Sequence, residues 1–145
     1  MSQSVKLSEY FAKTQGIGVL ATTDASGQVN QAIYGRPHFL DEDDDGTCSF
    51  IMSNRLSHDN VRHNLSASYL FIEEGNDYVG RRLSLRSIGE ETDPDKIKAV
   101  RHRNIPAISE AEGKYLVQFH IEGVRSLIGN ESLPSGMECG HCDLA

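Results

Sequence analysis

Short runs in which apolar and polar positions alternate recur along this chain, and they predict β-strands more often than helices. Residues 17–23 and 28–34 are two such runs. Residues 24–27, which end in glycine, join them in a way that is typical of a hairpin turn. Further strands are predicted at residues 36–40, 47–53, 68–73, 82–88, 115–122 and 124–128.

Short helices are predicted between some of these strands. Apolar residues recur at helical spacing over residues 7–14, where Ser4 can act as the cap. Ser57 can cap a second helix, and Asp93 followed by Pro94 is a typical start for a third. About six to eight strands, without the regular alternation of strand and helix that marks a doubly wound sheet, indicate a mainly β, closed antiparallel barrel.

Composition limits the classes of function. The chain has 145 residues, which fits one domain at residues 1–130 followed by a tail at residues 131–145. With 14 basic and 21 acidic residues its net charge is −7, which argues against a nucleic-acid backbone as the main ligand. No run approaches the roughly 20 apolar residues of a membrane span. We therefore expect a cytoplasmic protein.

The polar segment at residues 53–60 is the strongest candidate for a binding site. Hydroxyl, amide and guanidinium donors are concentrated there, where a predicted strand ends and a helix begins. Backbone N–H groups at a helix start can bind a phosphate together with Arg55 and Arg62, and Arg36 can reach the same place from a neighbouring strand. The alternative is an ordinary capped turn with solvated arginines.

Three segments, GVLATTDASGQVNQAIYGRPHF, SFIMSNRLSHDNVRHN and ASYLFIE, together resemble the FMN-binding split-barrel family, which includes pyridoxamine 5′-phosphate oxidase. The resemblance covers roughly residues 7–129. It implies a Greek-key split β-barrel, FMN as a non-covalent cofactor, and a homodimer with the flavin at the subunit interface. It also implies that the flavin exchanges electrons or hydride with a small molecule.

The resemblance further implies which residues contact the cofactor. Arg36 and the 53–60 segment would hold the phosphate, and the backbone of two strands would lie along the isoalloxazine ring. The implied residues are Tyr34, Gly35, Arg36, Pro37, His38, Ile51, Met52, Ser53, Arg55, Leu56, Ser57, His58 and Asn60.

Two departures from the family pattern matter. Asp59 stands where the family often has a lysine, so an anion replaces a cation near the expected phosphate. The chain also ends in ESLPSGMECGHCDLA instead of the basic segment with which the true oxidase grips its substrate. We therefore do not expect oxidation of pyridoxamine phosphate. A flavin-dependent oxidoreductase is the main hypothesis, and a non-catalytic module that binds or senses flavin, deazaflavin or haem is the alternative.

Two other motifs suggest metal or redox chemistry. The acidic run at residues 41–46 imitates the start of a calcium-binding EF-hand loop, but the twelfth position, where the loop needs glutamate, is Met52. A solvated hairpin tip is the simpler interpretation. Cys139, His141 and Cys142 lie near the chain end, where two subunits could share a zinc ion or the segment could be a mobile tail. Cys48, inside a predicted strand, is expected to be buried.

Overall fold

The computed structural model describes residues 6–41, 43–53, 55–75, 77–97, 114–129 and 132–133. Residues 98–113 and the cysteines of the tail lie outside these ranges, so the continuation of the third predicted helix beyond residue 97 is not described. In chain order the elements are α1 (Leu7–Lys13), β1 (Gly16–Thr23), β2 (Val29–Tyr34), β3 (Thr47–Ser53), α2 (Leu56–His63), β4 (Ser66–Glu73), β5 (Gly80–Glu91), β6 (Lys114–Ser126) and β7 (Ser132–Leu133).

The strands form one antiparallel sheet in the order β2-β1-β4-β5-β6-β3, with the short β7 paired to β6. The sheet curls into a half-barrel, and α2 lies against β1, β2 and β3. The prediction of a mainly β, antiparallel barrel with a few short helices is therefore confirmed. None of the helices in the described ranges has the length and apolar character needed to cross a membrane.

The hairpin of β1 and β2 forms as predicted, with Gly18 opposite Tyr34 and Thr23 opposite Val29. Gly27 has a φ of 93°, a backbone conformation that glycine adopts without strain. The Asp24 carboxylate accepts hydrogen bonds from the backbone N–H groups of Ser26 and Gln28, both at 2.9 Å. The turn chemistry read from the sequence thus sets the register of this strand pair.

Two strand predictions were wrong. Residues 36–40 do not form a strand, because only His38 bridges to Ser49. Pro37 has no N–H to donate to a ladder, and β3 pairs instead with β6. The strands predicted at 115–122 and 124–128 are one strand, β6: Gly123 pairs with Ser84 in its middle, and an irregularity after Ser84 absorbs the change in register.

The core fills the concave side of the half-barrel. Its largest buried side chains include Phe11 from α1, Phe50 from β3 and Phe119 from β6. A Cβ at Gly18 would collide with the Tyr69 hydroxyl, so only glycine fits at this position. The prediction that Cys48 is buried is confirmed, and burial raises the pKa of its thiol well above the ordinary range.

The acidic turn between residues 41 and 46 is more than a solvated tip. The Asp45 carboxylate accepts a hydrogen bond from the N–H of Leu7 at 2.8 Å and a longer one, at 3.4 Å, from Ser8. These N–H groups begin α1, where the N-cap residue Lys6 makes no side-chain capping bond. Asp45 therefore caps α1 from a distant loop, and Lys6 pairs with Asp43 at 2.9 Å beside it.

Candidate functional site

Helix α2 carries most of the candidate site, and polar contacts fasten it to the first hairpin. The Asn60 side-chain amide donates to the Thr22 hydroxyl of β1 at 3.0 Å. The Ser57 hydroxyl accepts a long hydrogen bond, 3.5 Å, from the amide of Asn30 on β2. Both Ser57 and Asn60 are buried. These contacts hold the start of the helix against the end of the curled sheet.

His58 fastens the same helix to the other side of the half-barrel. Its Nε2 lies 2.8 Å from a carboxylate oxygen of Glu90 on β5, and its ring stacks on Tyr115 of β6 with 3.8 Å between centroids. Only 1 % of the His58 surface is exposed. Because a carboxylate oxygen only accepts, Nε2 is the donor in this contact. His58 thus positions α2 and does not present its Nε2 to a ligand.

The start of α2 differs from the expectation that Ser57 caps it. Ser57 is the second residue of the helix, and Arg55 occupies the N-cap position. Arg55 is exposed, and within the described ranges its side chain makes no capping hydrogen bond. Unpaired backbone N–H groups and a nearby guanidinium make the start of a helix a favourable place for an anion.

Lys114 is a cation of this site that sequence reasoning missed. It is the first residue of β6 and lies opposite Ser53, the last residue of β3. Its Nζ donates to the Ser53 hydroxyl at 2.8 Å. Asp59 is on the exposed side of α2, with its carboxylate 3.9 Å from the His63 ring. The pairing of β6 with β3 therefore adds to this junction a positive charge from a distant part of the chain.

The Arg36 side chain binds backbone carbonyl groups of the protein itself. One terminal nitrogen, Nη1, donates to the backbone carbonyls of Phe11 at 3.0 Å and Thr14 at 2.9 Å. These carbonyls lie at the C-terminal end of α1, where unpaired oxygens and the helix dipole favour a cation. Arg36 thereby fixes α1 on the segment that follows β2.

The residues expected along the flavin ring differ in how far they are exposed. The side chains of Pro37, His38 and Met52 are buried inside the protein, so only their backbone can face a ligand. Ile51 lies on the face of the sheet opposite to Met52, where it packs on Leu116 and Ile97. At Gly35 an added Cβ would meet no atom within 4 Å, so the backbone there is open on one side.

Tyr34 connects the end of β2 to the start of α2. Burial raises the pKa of its phenol, while a hydrogen bond with Ser57 and the charge of Arg55 act in the opposite direction. These interactions show that Tyr34, Ser57 and Arg55 are neighbours. Of the residues proposed from the sequence, the structure thus brings together Tyr34, Ser53, Arg55, Leu56 and Ser57 around the junction of β3 and α2.

Metal binding has no support in the part of the chain that the structure describes. No group of three or more His, Cys, Asp or Glu side chains is placed there to hold an ion. Cys139, His141 and Cys142 are outside the described ranges, so neither of the two alternatives for this segment is tested.

Comparison with solved structures identifies the fold. An FMN-binding protein from Syntrophomonas wolfei matches with a TM-score of 0.70 at 15 % identity, covering 87 % of this chain and 86 % of that one. This chain has the split-barrel fold. A structure named F420 reductase matches with a TM-score of 0.65 at 14 % identity, covering 81 % of this chain and 94 % of the other.

The resemblance seen in the sequence is thus confirmed at the level of the split-barrel fold. A candidate pyridoxamine 5′-phosphate oxidase from Lactobacillus delbrueckii also matches, with a TM-score of 0.59 at 18 % identity and coverage of 77 % of this chain and 84 % of that one. No family model and no curated protein sequence matches the chain. The likeness to these split-barrel proteins is therefore one of fold.

Proposed function

We propose that this protein binds FMN non-covalently, with the flavin phosphate at the junction of β3 and α2. The observation that carries the proposal is the arrangement of Arg55 and Lys114 around a helix start whose N-cap side chain makes no capping bond among the described residues. A phosphate monoester suits such a donor set, because it accepts charge-assisted bonds from both cations and from backbone N–H groups.

The phosphate donors in this proposal come from three places. Lys114 approaches from β6 through its contact with Ser53, and Arg55 precedes the helix. The backbone N–H groups of the first turn of α2, from Leu56 onward, complete the cradle. His58 and Asn60 act indirectly, because their bonds to Glu90 and Thr22 hold the helix in place.

The isoalloxazine ring would lie along the segment after β2. Gly35 leaves its backbone open on one side, and the Tyr69 hydroxyl donates to the Gly35 carbonyl at 2.9 Å. Arg36 fixes the same segment against α1. The protein thus supplies a backbone surface held by two side chains, against which a flat ring can be oriented.

When bound, FMN supplies electron or hydride transfer to and from small molecules. The chain's own residues anchor the phosphate and hold the ring-facing backbone. Among the fold neighbours, the F420 reductase suggests a deazaflavin as the second candidate cofactor. Titrating both compounds against the same protein distinguishes the two, since the bound cofactor is the one with the lower dissociation constant.

We also propose that two copies pair through the outer surface of β1, β2 and β4. Ile17 lies opposite Ile72 in the sheet, and Val19 lies opposite both Leu70 and Ile33, so these apolar side chains share one face. Ile17 and Ile33 are 60 % and 72 % exposed. An exposed apolar face of this kind is typical of a protein interface.

The dimer is tested by light scattering on Ile33→Glu, with Ile128→Glu as the matched control, because Ile128 is 47 % exposed outside this face. We expect a dimer for the natural chain and the control, and a monomer for Ile33→Glu. A monomer for the natural chain would contradict the proposed pairing.

The cofactor proposal is tested by titrating FMN and following the quenching of its fluorescence. We expect Lys114→Gln to raise the dissociation constant about tenfold or more, since it removes one charge-assisted hydrogen bond. The control is Lys96→Gln, because Lys96 is exposed and its ammonium pairs only with Glu91 among the described residues. Bleaching of the bound flavin by a nicotinamide reductant would support an oxidoreductase, whereas stable yellow protein would favour a non-catalytic flavin module.

A further inference from the structure

A separate cleft of about 330 Å³ opens between the second half of α2 and the end of β5. Val61 and Val117 form its buried floor, and Leu65 and Ile88 form an apolar rim. Leu65 is 41 % exposed and Ile88 is 56 % exposed. The volume is at the lower end of the range for small-molecule sites.

An irregularity in β5 shapes one wall of this cleft. The pairing of β5 with β6 shifts between Ser87 and Gly89, which leaves Ile88 without a partner in the ladder. Gly89 has a φ of 156°, and an added Cβ there would meet no atom within 4 Å. Such a bulge turns a side chain away from the regular direction of the strand, and here it leaves Ile88 at the rim.

The cleft is lined by one cation and one anion, which differ in their contacts. Arg62 and Glu90 both line it. One carboxylate oxygen of Glu90 accepts a hydrogen bond from the His58 ring at 2.8 Å, which directs this anion toward His58. Arg62 is exposed, and none of the described acidic side chains forms an ion pair with it. Among the described residues, Arg62 is therefore the charged side chain of the cleft that makes no hydrogen bond or ion pair with another side chain.

We propose that this cleft binds a small amphipathic anion, a short aliphatic carboxylate, with its carboxylate on Arg62 and its chain against Leu65, Ile88 and Val117. A guanidinium binds a carboxylate through paired N–H donors, and burial of the aliphatic chain contributes in proportion to the apolar area removed from water. Neither Arg55 nor Lys114 lines the cleft, so the proposal does not depend on FMN binding.

The test uses hexanoate as the probe and isothermal titration calorimetry on the full chain as purified. Acetate lacks the apolar chain and 1-hexanol lacks the charge, so both should bind more weakly than hexanoate. Arg62→Gln should weaken hexanoate binding about tenfold, because it removes the charge-assisted bonds, and should leave 1-hexanol unchanged. Arg86→Gln is the control: Arg86 is exposed on β5, which forms one wall of the cleft, but it does not line the cleft.

Methyl NMR spectra locate the bound probe. We expect hexanoate to shift the methyl signals of Leu65, Ile88 and Val117 and to leave those of Ile17 and Ile33 unchanged. Ile88→Glu, which places an anion on the exposed rim, should abolish binding while the remaining methyl signals show an intact fold. No heat and no shifts with hexanoate would overturn the proposal, as would equal binding by Arg62→Gln or shifts spread over every exposed apolar residue.

Discussion

Helices α1 and α2 begin in opposite ways. At the start of α1 an internal carboxylate, Asp45, accepts from the N–H groups of Leu7 and Ser8. At the start of α2 the N-cap residue is a cation, Arg55, and a second cation, Lys114, lies on the adjoining Ser53. The first helix start is neutralised within the chain, whereas the second concentrates positive charge. This difference is the physical reason to expect an external anion at α2 and none at α1.

The largest effect should come from removing both cations at α2. We expect the double variant Arg55→Gln, Lys114→Gln to raise the FMN dissociation constant about a hundredfold, since each lost charge-assisted bond accounts for about a factor of ten. Fluorescence titration measures this change. The pair Lys13→Gln, Arg86→Gln removes the same charge from exposed positions and should leave the affinity close to that of the natural chain. Equal losses in both double variants would mean that only net charge matters.

Arg36 should affect the stability of α1 more than the affinity for FMN. Arg36→Ala removes the charged donor from the carbonyls of Phe11 and Thr14, and we expect the free energy of unfolding to fall by about 2 kcal/mol. Urea denaturation followed by circular dichroism measures the loss. An unchanged unfolding curve together with a large loss of FMN affinity would place Arg36 on the phosphate instead.

Asp45→Ala should have a smaller effect that is confined to the internally capped helix. Loss of a helix cap typically costs about 1 kcal/mol of stability. The control, Asp77→Ala, changes an exposed carboxylate for which the structure shows no hydrogen bond among the described residues, and should be neutral. FMN affinity should be unchanged in both variants, because Asp45 caps α1 and not α2.

The smallest effect concerns the exposed pair of Lys6 and Asp43 beside the α1 cap. The hydrogen bond from Lys6 and its charge lower the pKa of Asp43 from 3.8. The ionised carboxylate therefore adds a little stability above pH 3.8, and this contribution is lost as the pH falls through the lowered folded-state pKa. The difference in urea midpoint between the natural chain and Asp43→Asn should accordingly shrink on acidification. If the difference in urea midpoint grew as the pH fell, the lowered pKa of Asp43 would be contradicted.

Local features of the chain could be predicted from the sequence. The hairpin of β1 and β2 follows from alternation and from the turn at residues 24–27, which act over a few neighbouring positions. The junction at residues 53–60 is also local, because the last residue of a strand and the first turn of a helix adjoin there. Polar residues gathered at such a junction are visible without knowledge of the sheet order.

Contacts between distant segments could not be predicted in this way. Lys114 is 61 positions from Ser53, and only the pairing of β6 with β3 brings them together. Asp45 and Leu7 are 38 positions apart, so the acidic turn looked solvated. The separation of His58 from Glu90 is 32 positions. Alternation along one segment does not specify its neighbour, which is why residues 36–40 were wrongly predicted to be a strand beside β3, whose partner is β6.

The central claim is that the start of α2 binds the phosphate of a flavin. The most direct measurement compares FMN with riboflavin, which has the same ring but no phosphate, by fluorescence titration of the natural chain. We expect FMN to bind about a hundredfold more tightly, and the double variant Arg55→Gln, Lys114→Gln to bind the two compounds nearly alike. Equal affinities for FMN and riboflavin in the natural chain, or no binding of FMN, would contradict the account.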